Sequence, residues 1–461
     1  MLELNGRKVL VLGLGDTGMS MARWLSARGA RVTVADTRAQ PPHAVALARE
    51  LPEVAIQCGG IAAASVQQAE LIAISPGIDR RTPAVAAAIK RGTPVAGDVE
   101  LFAQALPRMK THPQVIAITG TNGKSTVTQM AGDICAAAGR RTVVAGNIGT
   151  PVLEALDDIE RSGAVPEVFV LELSSFQLES TAGLNADAAA MLNLSEDHLD
   201  RYDGIADYAR AKQRIFNGDG AQILNRADSC SAGMAIAGRI VHRFGIDAPQ
   251  GEQEWGIAGS AGDAVLMRNR QTLLPLAELP VAGLHNAANA LAAGALCHAI
   301  GINDAAIAKA LRAFKGLPHR VEKIEVIDGV TYYDDSKGTN VGSTVAALGG
   351  FTQPVVLIAG GDGKGQDFAP LREPVRQRAR AVILIGRDAG LIAQALDGCG
   401  VPCINATDMD DAIAHAQARA QAGDAVLLSP ACASFDMFRN YNHRGEVFAG
   451  AVRKRAGHGR N

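Results

Sequence analysis

A glycine-rich loop between a predicted strand and a predicted helix is the clearest candidate for chemistry in this sequence. The apolar run 115–119 predicts a buried strand, the loop 120–126 follows, and a helical stretch begins at Val127. Glycines let backbone N–H groups curl around phosphate oxygens, and the start of the following helix adds positive partial charge. Lys124 can reach the terminal phosphates of a nucleotide, and the Ser125 hydroxyl can ligate Mg²⁺.

The loop is shorter than the full Walker pattern. Only Thr121 and Asn122 separate Gly120 from the pair Gly123 and Lys124, where the full pattern has a longer insertion. The alternative is a chance Gly-Lys-Ser in a connecting segment. Because a strand precedes the loop and a helix follows it, we favour a phosphate-binding site.

Two more polar residues are predicted to lie at the same sheet edge as the phosphate loop. Glu172 and His198 each follow an apolar, strand-like run. Ligands of open α/β sheets bind outside the carboxyl ends of the strands, so these side chains meet Lys124 if the strands share a sheet. Taken singly, Glu172 is better explained as a solvated acid and His198 as an ordinary loop histidine. At one shared sheet edge, however, they can hold Mg²⁺ beside ATP. The pattern does not separate the role of Asp197 from that of its neighbour His198.

A second glycine turn lies near the start of the chain. Gly13, Gly15 and Gly18 follow a predicted strand and open a predicted helix, and Asp36 ends the next strand. This pattern is typical of dinucleotide sites, in which the acid binds a ribose hydroxyl. It indicates a nucleotide without specifying which one, and the second nucleotide site at Lys124 disfavours a simple dehydrogenase.

Short apolar runs alternate with helical stretches along the whole chain, which predicts parallel sheets covered on both faces. The predicted strands include 9–12, 32–34, 71–75, 115–118, 168–173, 188–194, 355–359, 382–385 and 425–429. A length of 461 residues suggests three domains at ~100–200 residues each. Polar, proline-containing stretches near 107–113 and 315–320 mark the boundaries. We therefore predict an α/β protein with domains 1–107, 108–316 and 317–461, each a mostly parallel sheet with flanking helices.

Composition excludes several classes of protein. The net charge of −2 provides no strong field for nucleic acid or an anionic membrane. No apolar run reaches the ~18 residues of a membrane span, and the first residues lack a signal-peptide pattern. Seven scattered cysteines do not suggest a disulfide framework, and Cys399 and Cys403 lack a second ligand pair for zinc. We expect a cytoplasmic protein that acts on small molecules.

Eight segments together resemble the Mur ligases of peptidoglycan synthesis, in order and across essentially the whole chain. They are Gly-Thr-Asn-Gly-Lys-Ser-Thr at 120–126, Glu-Leu-Ser-Ser-Phe-Gln at 172–177, Asn-Leu-Ser-Glu-Asp-His-Leu-Asp at 193–200, His-Asn-Ala-Ala-Asn at 285–289, Leu-Pro-His-Arg at 317–320, Asp-Ser-Lys-Gly-Thr-Asn at 335–340, Gly-Gly-Asp-Gly-Lys at 360–364 and Ser-Pro-Ala-Cys-Ala-Ser at 429–434. The resemblance implies a Rossmann-like UDP-substrate domain, a central P-loop ATP-binding domain and a C-terminal Rossmann-like glutamate domain. Within the family, the motifs are most similar to those of members that add D-glutamate to UDP-N-acetylmuramoyl-L-alanine.

The resemblance also implies a reaction. ATP phosphorylates the terminal carboxylate of the UDP-linked substrate, and the amine of glutamate then attacks the acyl phosphate to give an amide, ADP and phosphate. Two anions meet in the first step, so cations such as Mg²⁺ and Lys124 must offset their repulsion. We expect ATP and Mg²⁺ as cofactors, with Mn²⁺ as an alternative metal, and a monomeric enzyme of cell-wall biogenesis.

The resemblance assigns residues to each role. The ATP-binding residues would be Gly120, Thr121, Asn122, Gly123, Lys124, Ser125, Thr126, Asn289, Arg320 and Asp335. The UDP substrate would contact Asp16, Thr17, Asp36, Thr37, Arg38, Gly77 and, from the second domain, Asn147. The glutamate pocket would contain Lys337, Thr339, Lys364, Ser434, Phe435 and Tyr441, although some family members have leucine in place of Phe435 and phenylalanine in place of Tyr441. The catalytic residues would be Lys124, Glu172, His198 and Lys212, and the metal ligands would be Ser125, Glu172, His198 and a carbamylated Lys212.

Lys212 is the assignment that depends most on the resemblance. By composition alone it is a surface lysine of an arginine-rich helix, extended into water. Several Mur ligases carbamylate the lysine at this place with CO₂. A carbamate offers anionic oxygens to Mg²⁺, whereas a bare ammonium repels the metal.

Three alternative functions remain open from the sequence. A sister enzyme, such as folylpolyglutamate synthase or another Mur ligase, would share the ATP site and change the acceptor. The chain contains no Asp-Asn-Pro-Arg, which is associated with the diamino-acid-adding Mur ligases. A nucleotide-dependent oxidoreductase built on the turn at Gly13 would bind NAD without ATP turnover. A nonenzymatic nucleotide-binding regulator is disfavoured by the intact ATP motifs.

Overall fold

Continuous apolar runs form the central strands of three separate sheets, which confirms the predicted three-domain α/β architecture. Every residue of the strand Val355–Gly360, for example, is buried, because elements on both faces cover it. The structure, a computed structural model, describes residues 3–109, 111–198, 200–260, 262–281 and 283–458.

The first sheet has five strands, and all their pairings are parallel, in the order β3-β2-β1-β4-β5. Its elements are β1 Lys8–Leu12, α1 Asp16–Ser26, β2 Arg31–Asp36, α2 Ala44–Glu50, β3 Ala55–Cys58, α3 Ala63–Gln68, β4 Leu71–Ile74, α4 Pro83–Lys90, β5 Val95–Ala96 and α5 Asp98–Ala105. The order reverses between β1 and β4, so the carboxyl end of β1 opens a crevice where ligands can bind.

The second sheet has nine strands in the order β14-β13-β12-β11-β10-β9-β6-β8-β7. Its elements are β6 Gln114–Thr119, α6 Lys124–Ala137, β7 Thr142–Gly146, α7 Val152–Ser162, β8 Val168–Glu172, α8 Ser175–Glu179, β9 Ala188–Met191, α9 Ile205–Gln213, β10 Ala221–Asn225, α10 Ser229–Ala232, β11 Val241–Phe244, β12 Glu254–Ala258, β13 Val265–Arg268, β14 Gln271–Pro275, α11 Leu284–Ala299 and α12 Asp304–Ala313. Only the β12-β13-β14 end is antiparallel. The phosphate loop follows β6, and β8 and β9 lie on either side of that strand.

The third sheet has the order β15-β16-β20-β17-β18-β19, in which only the β15-β16 hairpin is antiparallel. Its elements are β15 Glu322–Ile327, β16 Val330–Asp334, α13 Val341–Gly349, β17 Val355–Gly360, α14 Arg372–Arg378, β18 Ala379–Ile385, α15 Ala389–Ala395, β19 Cys403–Asn405, α16 Met409–Arg419, β20 Ala425–Leu428 and α17 Tyr441–His458. The segments after β16 and β17 contact the middle domain through Asn340 and Lys364.

The hydrophobic cores divide unevenly among the sheets. One cluster joins the first sheet to a face of the second, and the rings of Phe102 and Phe169 meet edge to face across this junction, 5.0 Å apart. The clusters of the C-terminal sheet contain only residues from 321 onward. Across the described residues, no helix is both long and apolar enough to span a bilayer.

Candidate active site

The phosphate loop connects β6 directly to α6, as the sequence predicted. Gly120 and Gly123 have φ values of 155° and 84°, in the region where a side chain is strained. A Cβ on Gly123 would lie 2.5 Å from Asn289 Oδ1, so this glycine also allows α11 to approach the loop closely. The glycines are therefore required both for the curvature of the loop and for the packing of Asn289 against it.

The segment after β9 holds the phosphate loop in place. Asn122 N donates to Asn193 Oδ1 at 2.8 Å, and Asn193 Nδ2 returns a bond to the Asn122 carbonyl at 3.0 Å. Ser195 N donates to Thr121 Oγ1 at 3.1 Å. Asn193 was not assigned a role from the sequence, although a polar side chain at the carboxyl end of a buried apolar run is the signal that marks it.

Lys124 and Lys212 converge on one carbonyl of this loop. Their ammonium groups donate to Gly120 O at 3.0 and 2.8 Å respectively. Lys212 is 1% exposed, so its interpretation as a solvated surface lysine is wrong. Burial lowers the pKa of Lys212 well below its usual value, and the neighbouring charge of Lys124 lowers it further. The helix α9 thus places a buried amine, whose pKa is lowered, at the phosphate loop.

Glu172 and His198 lie at the same edge, because β9, β6 and β8 are adjacent in one sheet. Glu172 is 2% exposed; its Oε1 accepts from Asn147 Nδ2 at 2.8 Å, and its Oε2 has no partner among the described residues. Burial lowers the pKa of His198, which favours the neutral imidazole that metals bind. An unpartnered buried carboxylate oxygen and a neutral imidazole fit the predicted divalent cation.

The C-terminal domain closes over the phosphate loop through polar contacts. Asn122 and Asn340 exchange amide hydrogen bonds at 3.2 and 3.1 Å, and Arg320 Nη2 donates to Ser125 Oγ at 2.7 Å. Lys364 Nζ donates to Asp197 Oδ1 at 3.0 Å. Asp197, whose role the sequence left open, is therefore an anchor for the C-terminal domain in this structure.

A cavity of about 430 Å³ lies beside the phosphate loop, between the middle and C-terminal domains. Its lining includes Asn289, Arg320 and Asp335, all predicted to bind ATP, together with the apolar Phe244, which the sequence did not indicate. Burial raises the pKa of Asp335 to about 7, although a hydrogen bond from Ser429 and the charge of Arg320 oppose that shift. The apolar wall and the polar groups suit a nucleoside.

The residues predicted to bind glutamate come from three loops of the C-terminal sheet. Lys337 Nζ lies 3.7 Å from the centre of the Tyr441 ring, and burial lowers the pKa of this lysine to about 8. The Thr339 N–H donates to the Lys337 carbonyl at 2.8 Å. Ser434 is 3% exposed, whereas Phe435 is 75% exposed. The structure therefore buries Ser434 but turns the side chain of Phe435 toward solvent.

The N-terminal turn follows β1 and opens α1, and it requires its glycines. A Cβ on Gly18 would lie 1.8 Å from the Gly13 carbonyl oxygen. Asp36 is 1% exposed and accepts from Leu14 N at 2.7 Å and from the backbone N, Nε and Nη2 of Arg38, and these bonds lower its pKa to about 2. The carboxylate of Asp36 therefore braces the turn and Arg38 in this structure.

The other residues predicted to bind the UDP substrate lie around the same crevice. Thr37 follows β2 and Gly77 follows β4, and both are exposed. Asp16 and Thr17 begin α1, where Asp16 Oδ1 lies 2.7 Å from His43 Nε2. Asn147, by contrast, is bonded to Glu172 in the middle domain. The residues predicted to bind the UDP substrate are thus divided between two sheets, because Asn147 lies beside Glu172 at the second sheet and the others lie at the first.

Sequence comparisons match each domain to a family model. Residues 7–97 match the N-terminal domain described as Mur ligase MurD-like, residues 118–297 match the Mur ligase middle domain, and residues 319–432 match the Mur ligase glutamate ligase domain. A protein of Methylobacillus flagellatus named UDP-N-acetylmuramoylalanine–D-glutamate ligase is 57% identical over 452 residues, covering 98% of each chain. The chain belongs to the Mur ligase family.

Other members of the Mur ligase family agree with this assignment. A Thiobacillus denitrificans protein with the same name is 56% identical, over 99% of this chain and 98% of its own. Among solved structures, the UDP-N-acetylmuramate–alanine ligase of Thermotoga maritima superposes with a TM-score of 0.59 at 19% identity, over 97% of this chain and 99% of that one. At that identity the likeness supports the shared Mur ligase fold.

Proposed function

We propose that this Mur ligase joins D-glutamate to UDP-N-acetylmuramoyl-L-alanine through an acyl phosphate formed from ATP, with ADP and phosphate as the other products. The observation that carries the proposal is the convergence of Lys124, Glu172 and Arg320 at a loop that the C-terminal domain covers. Relatives at 56–57% identity over nearly their full length are named for this reaction. The enclosed site suits the reaction, because an acyl phosphate must be kept from water until the amine attacks.

In the first step, an oxygen of the substrate carboxylate attacks the γ-phosphorus of ATP, and the bond from that phosphorus to the bridging oxygen breaks to release ADP. Lys124 now donates to the loop carbonyls Gly120 O and Thr121 O, at 3.0 and 2.8 Å. We propose that it turns to the transferred phosphoryl group when ATP binds. Arg320, which donates to Ser125 Oγ, would carry a second positive charge to the same place.

In the second step, the neutral amine of glutamate attacks the acyl carbon, phosphate leaves, and a proton is lost from the nitrogen. Lys337 and Lys364 offer cations for the two carboxylates of glutamate, and Thr339 and Ser434 offer hydroxyl groups. Lys364 already binds one carboxylate, that of Asp197. A substrate carboxylate in its place would use the same geometry.

The metal would be held by Glu172 and His198, with the Ser125 hydroxyl and a carbamylated Lys212 as further ligands. Mg²⁺, or Mn²⁺ in its place, supplies charge neutralisation at the phosphates when bound. The neutral amine of Lys212 can attack CO₂ to give a carbamate and release one proton. The proposal is supported by the burial of Lys212 and by its position beside Lys124, where an anion would replace a repelling cation.

One assay tests the function. Phosphate release is measured with ATP, UDP-N-acetylmuramoyl-L-alanine and each glutamate enantiomer, with dihydropteroate and NAD as alternative substrates. We expect release that requires the UDP substrate and D-glutamate together. Release that requires the folate-type acceptor and glutamate in place of the UDP substrate, or no ATP turnover, would reject the proposal. We also propose that the enzyme is a cytoplasmic monomer. Sedimentation with and without substrates measures its oligomeric state.

A further inference from the structure

Arg444 in α17 is a fully buried cation. The charges of Asp436, Asp334 and Asp335 act on it from nearby and raise its pKa, but by less than burial lowers it. Its guanidinium bonds to neutral groups: Nε donates to Ser336 Oγ at 3.0 Å, Nη2 to Ser336 O at 2.8 Å, and Nη1 to Cys432 O at 3.1 Å. No acidic side chain hydrogen-bonds to it among the described residues. Because a buried charge is costly unless it is paired, this position calls for a compensating benefit.

The bonds to Ser336 fix the segment that carries Lys337. Ser336 is fully buried, and its hydroxyl also donates to the carbonyl of Tyr441 at 2.8 Å. Lys337 follows in sequence and lies over the Tyr441 ring. The Arg444 guanidinium thereby fixes the backbone at Ser336, next to Lys337. Through the Ser336 hydroxyl it also fixes the backbone at Tyr441.

The bond to Cys432 fixes a second pair of segments. Ser434 lies two residues further along the same loop. Between them, Ala433 exchanges backbone hydrogen bonds of 2.8 and 3.0 Å with Asp362, and Asp362 Oδ1 accepts from Lys364 N at 3.0 Å. The position of Lys364 therefore depends, through three successive contacts, on the same guanidinium.

We propose that Arg444 is a positioning residue of the amino-acid pocket: it aligns Lys337, Lys364, Ser434 and Tyr441, and it places behind a pocket for a dicarboxylate a positive charge that no carboxylate hydrogen-bonds among the described residues. This inference rests on the proposed function. The ATP residue Asp335 has anchors of its own, since its N–H donates to the Leu428 carbonyl at 2.7 Å and Ser429 Oγ donates to its carboxylate at 2.7 Å. Arg444 should therefore affect glutamate more than ATP.

The charge persists at neutral pH. Burial lowers the pKa of Arg444 to about 10, which still leaves the guanidinium protonated under assay conditions. Lysine can retain the charge but not the planar fork that reaches both Ser336 and Cys432, and glutamine retains neither. The two substitutions separate the electrostatic contribution from the geometric one.

The experiment measures the KM values for D-glutamate, ATP and UDP-N-acetylmuramoyl-L-alanine in R444K and R444Q. R455Q is the matched control, because Arg455 lies on the same helix and bonds to Asp410 at the surface. We expect R444Q to raise the KM for D-glutamate by about tenfold or more, on the scale of lost hydrogen bonds to a charged group. R444K should fall between R444Q and the unmutated enzyme, with the KM for ATP within about threefold of normal.

Two results would overturn the inference: an unchanged D-glutamate KM in folded R444K, or equal increases for ATP and D-glutamate. If R444Q fails to fold, as judged by its melting curve, R444K alone carries the test. Failure of the proposed function is distinct, because the unmutated enzyme would then release no phosphate in response to D-glutamate.

Discussion

Lys364 Nζ and Asp197 Oδ1 lie 3.0 Å apart and form an ion pair between the C-terminal and middle domains. Asp197 is mostly buried, and the side chain of Lys364 is 26% exposed, so water screens the pair only partly. The same lysine is proposed to bind glutamate. Closure of the C-terminal domain and binding of the amino acid therefore share one cation.

Because Lys364 takes part in both domain closure and glutamate binding, substitutions of Lys364 and Asp197 should affect the D-glutamate KM to different extents. We predict that Lys364→Ala raises the KM for D-glutamate far more than the KM for ATP. Asp197→Asn removes the interdomain pair but leaves the lysine available, so it should change the D-glutamate KM less. Steady-state kinetics of both variants, with the KM measured for D-glutamate and for ATP, tests these expectations. Equal effects of Lys364→Ala on both substrates would show that the lysine acts only in closure.

Removal of the phosphate-loop lysine should abolish charge stabilisation in the first step. We expect Lys124→Ala to lower turnover by ~100-fold or more, the scale of losing one key electrostatic donor. The exposed Lys90 of α4 provides the control, since Lys90→Ala removes a lysine far from the phosphate loop. Phosphate release near the unmutated rate in Lys124→Ala would contradict the proposed role.

Lys212→Ala should lose activity and regain part of it with a short carboxylate such as formate or acetate, because the small anion can occupy the place of the carbamate. Arg210→Ala is the matched control on the same helix, where the arginine is exposed and pairs with Asp207. A high-resolution map should also show density beyond Lys212 Nζ. A bare ammonium in active, CO₂-equilibrated crystals would reject carbamylation.

Asn193→Ala should weaken ATP binding without unfolding the protein. The substitution removes the side-chain acceptor of Asn122 N and the donor to Asn122 O. At roughly 1 kcal/mol for each hydrogen bond, we expect the dissociation constant for ATP to rise by about tenfold or more. Calorimetry measures it, with the exposed Asn185→Ala as control. Unchanged ATP affinity would show that the glycine loop keeps its shape without this brace.

Asp335 should make the stability of the nucleotide-free protein depend on pH. Its pKa is raised to about 7 in the folded state, mainly by burial and also by Asp334, while Arg320 opposes the shift. The folded protein therefore holds a proton that the unfolded chain releases near pH 4, and its stability falls as the pH rises toward 7. Asp335→Asn should make the melting temperature depend less on pH between pH 5 and 7. An unchanged slope would refute this origin.

The sequence predicted the strands and the phosphate loop because both depend on local patterns. The strand residues before Gly120 and Glu172 are apolar on both faces of the sheet. The glycines of the phosphate loop permit the positive φ values that the loop needs. Arg444 and Asn193 could not be assigned a role in this way, since their partners lie in distant segments. Phe435 shows the reverse case: its motif suggested a pocket, but its exposed side chain depends on a turn that composition does not specify.

The single hydrophobic cluster shared by the first two sheets has a mechanical consequence. Separating those sheets would expose apolar surface, whereas the contacts described between the C-terminal domain and the phosphate loop are hydrogen bonds and an ion pair, which water can replace. We therefore expect the first two domains to move together. We expect products to leave when the C-terminal domain moves away from the phosphate loop, with the shared hydrophobic cluster intact.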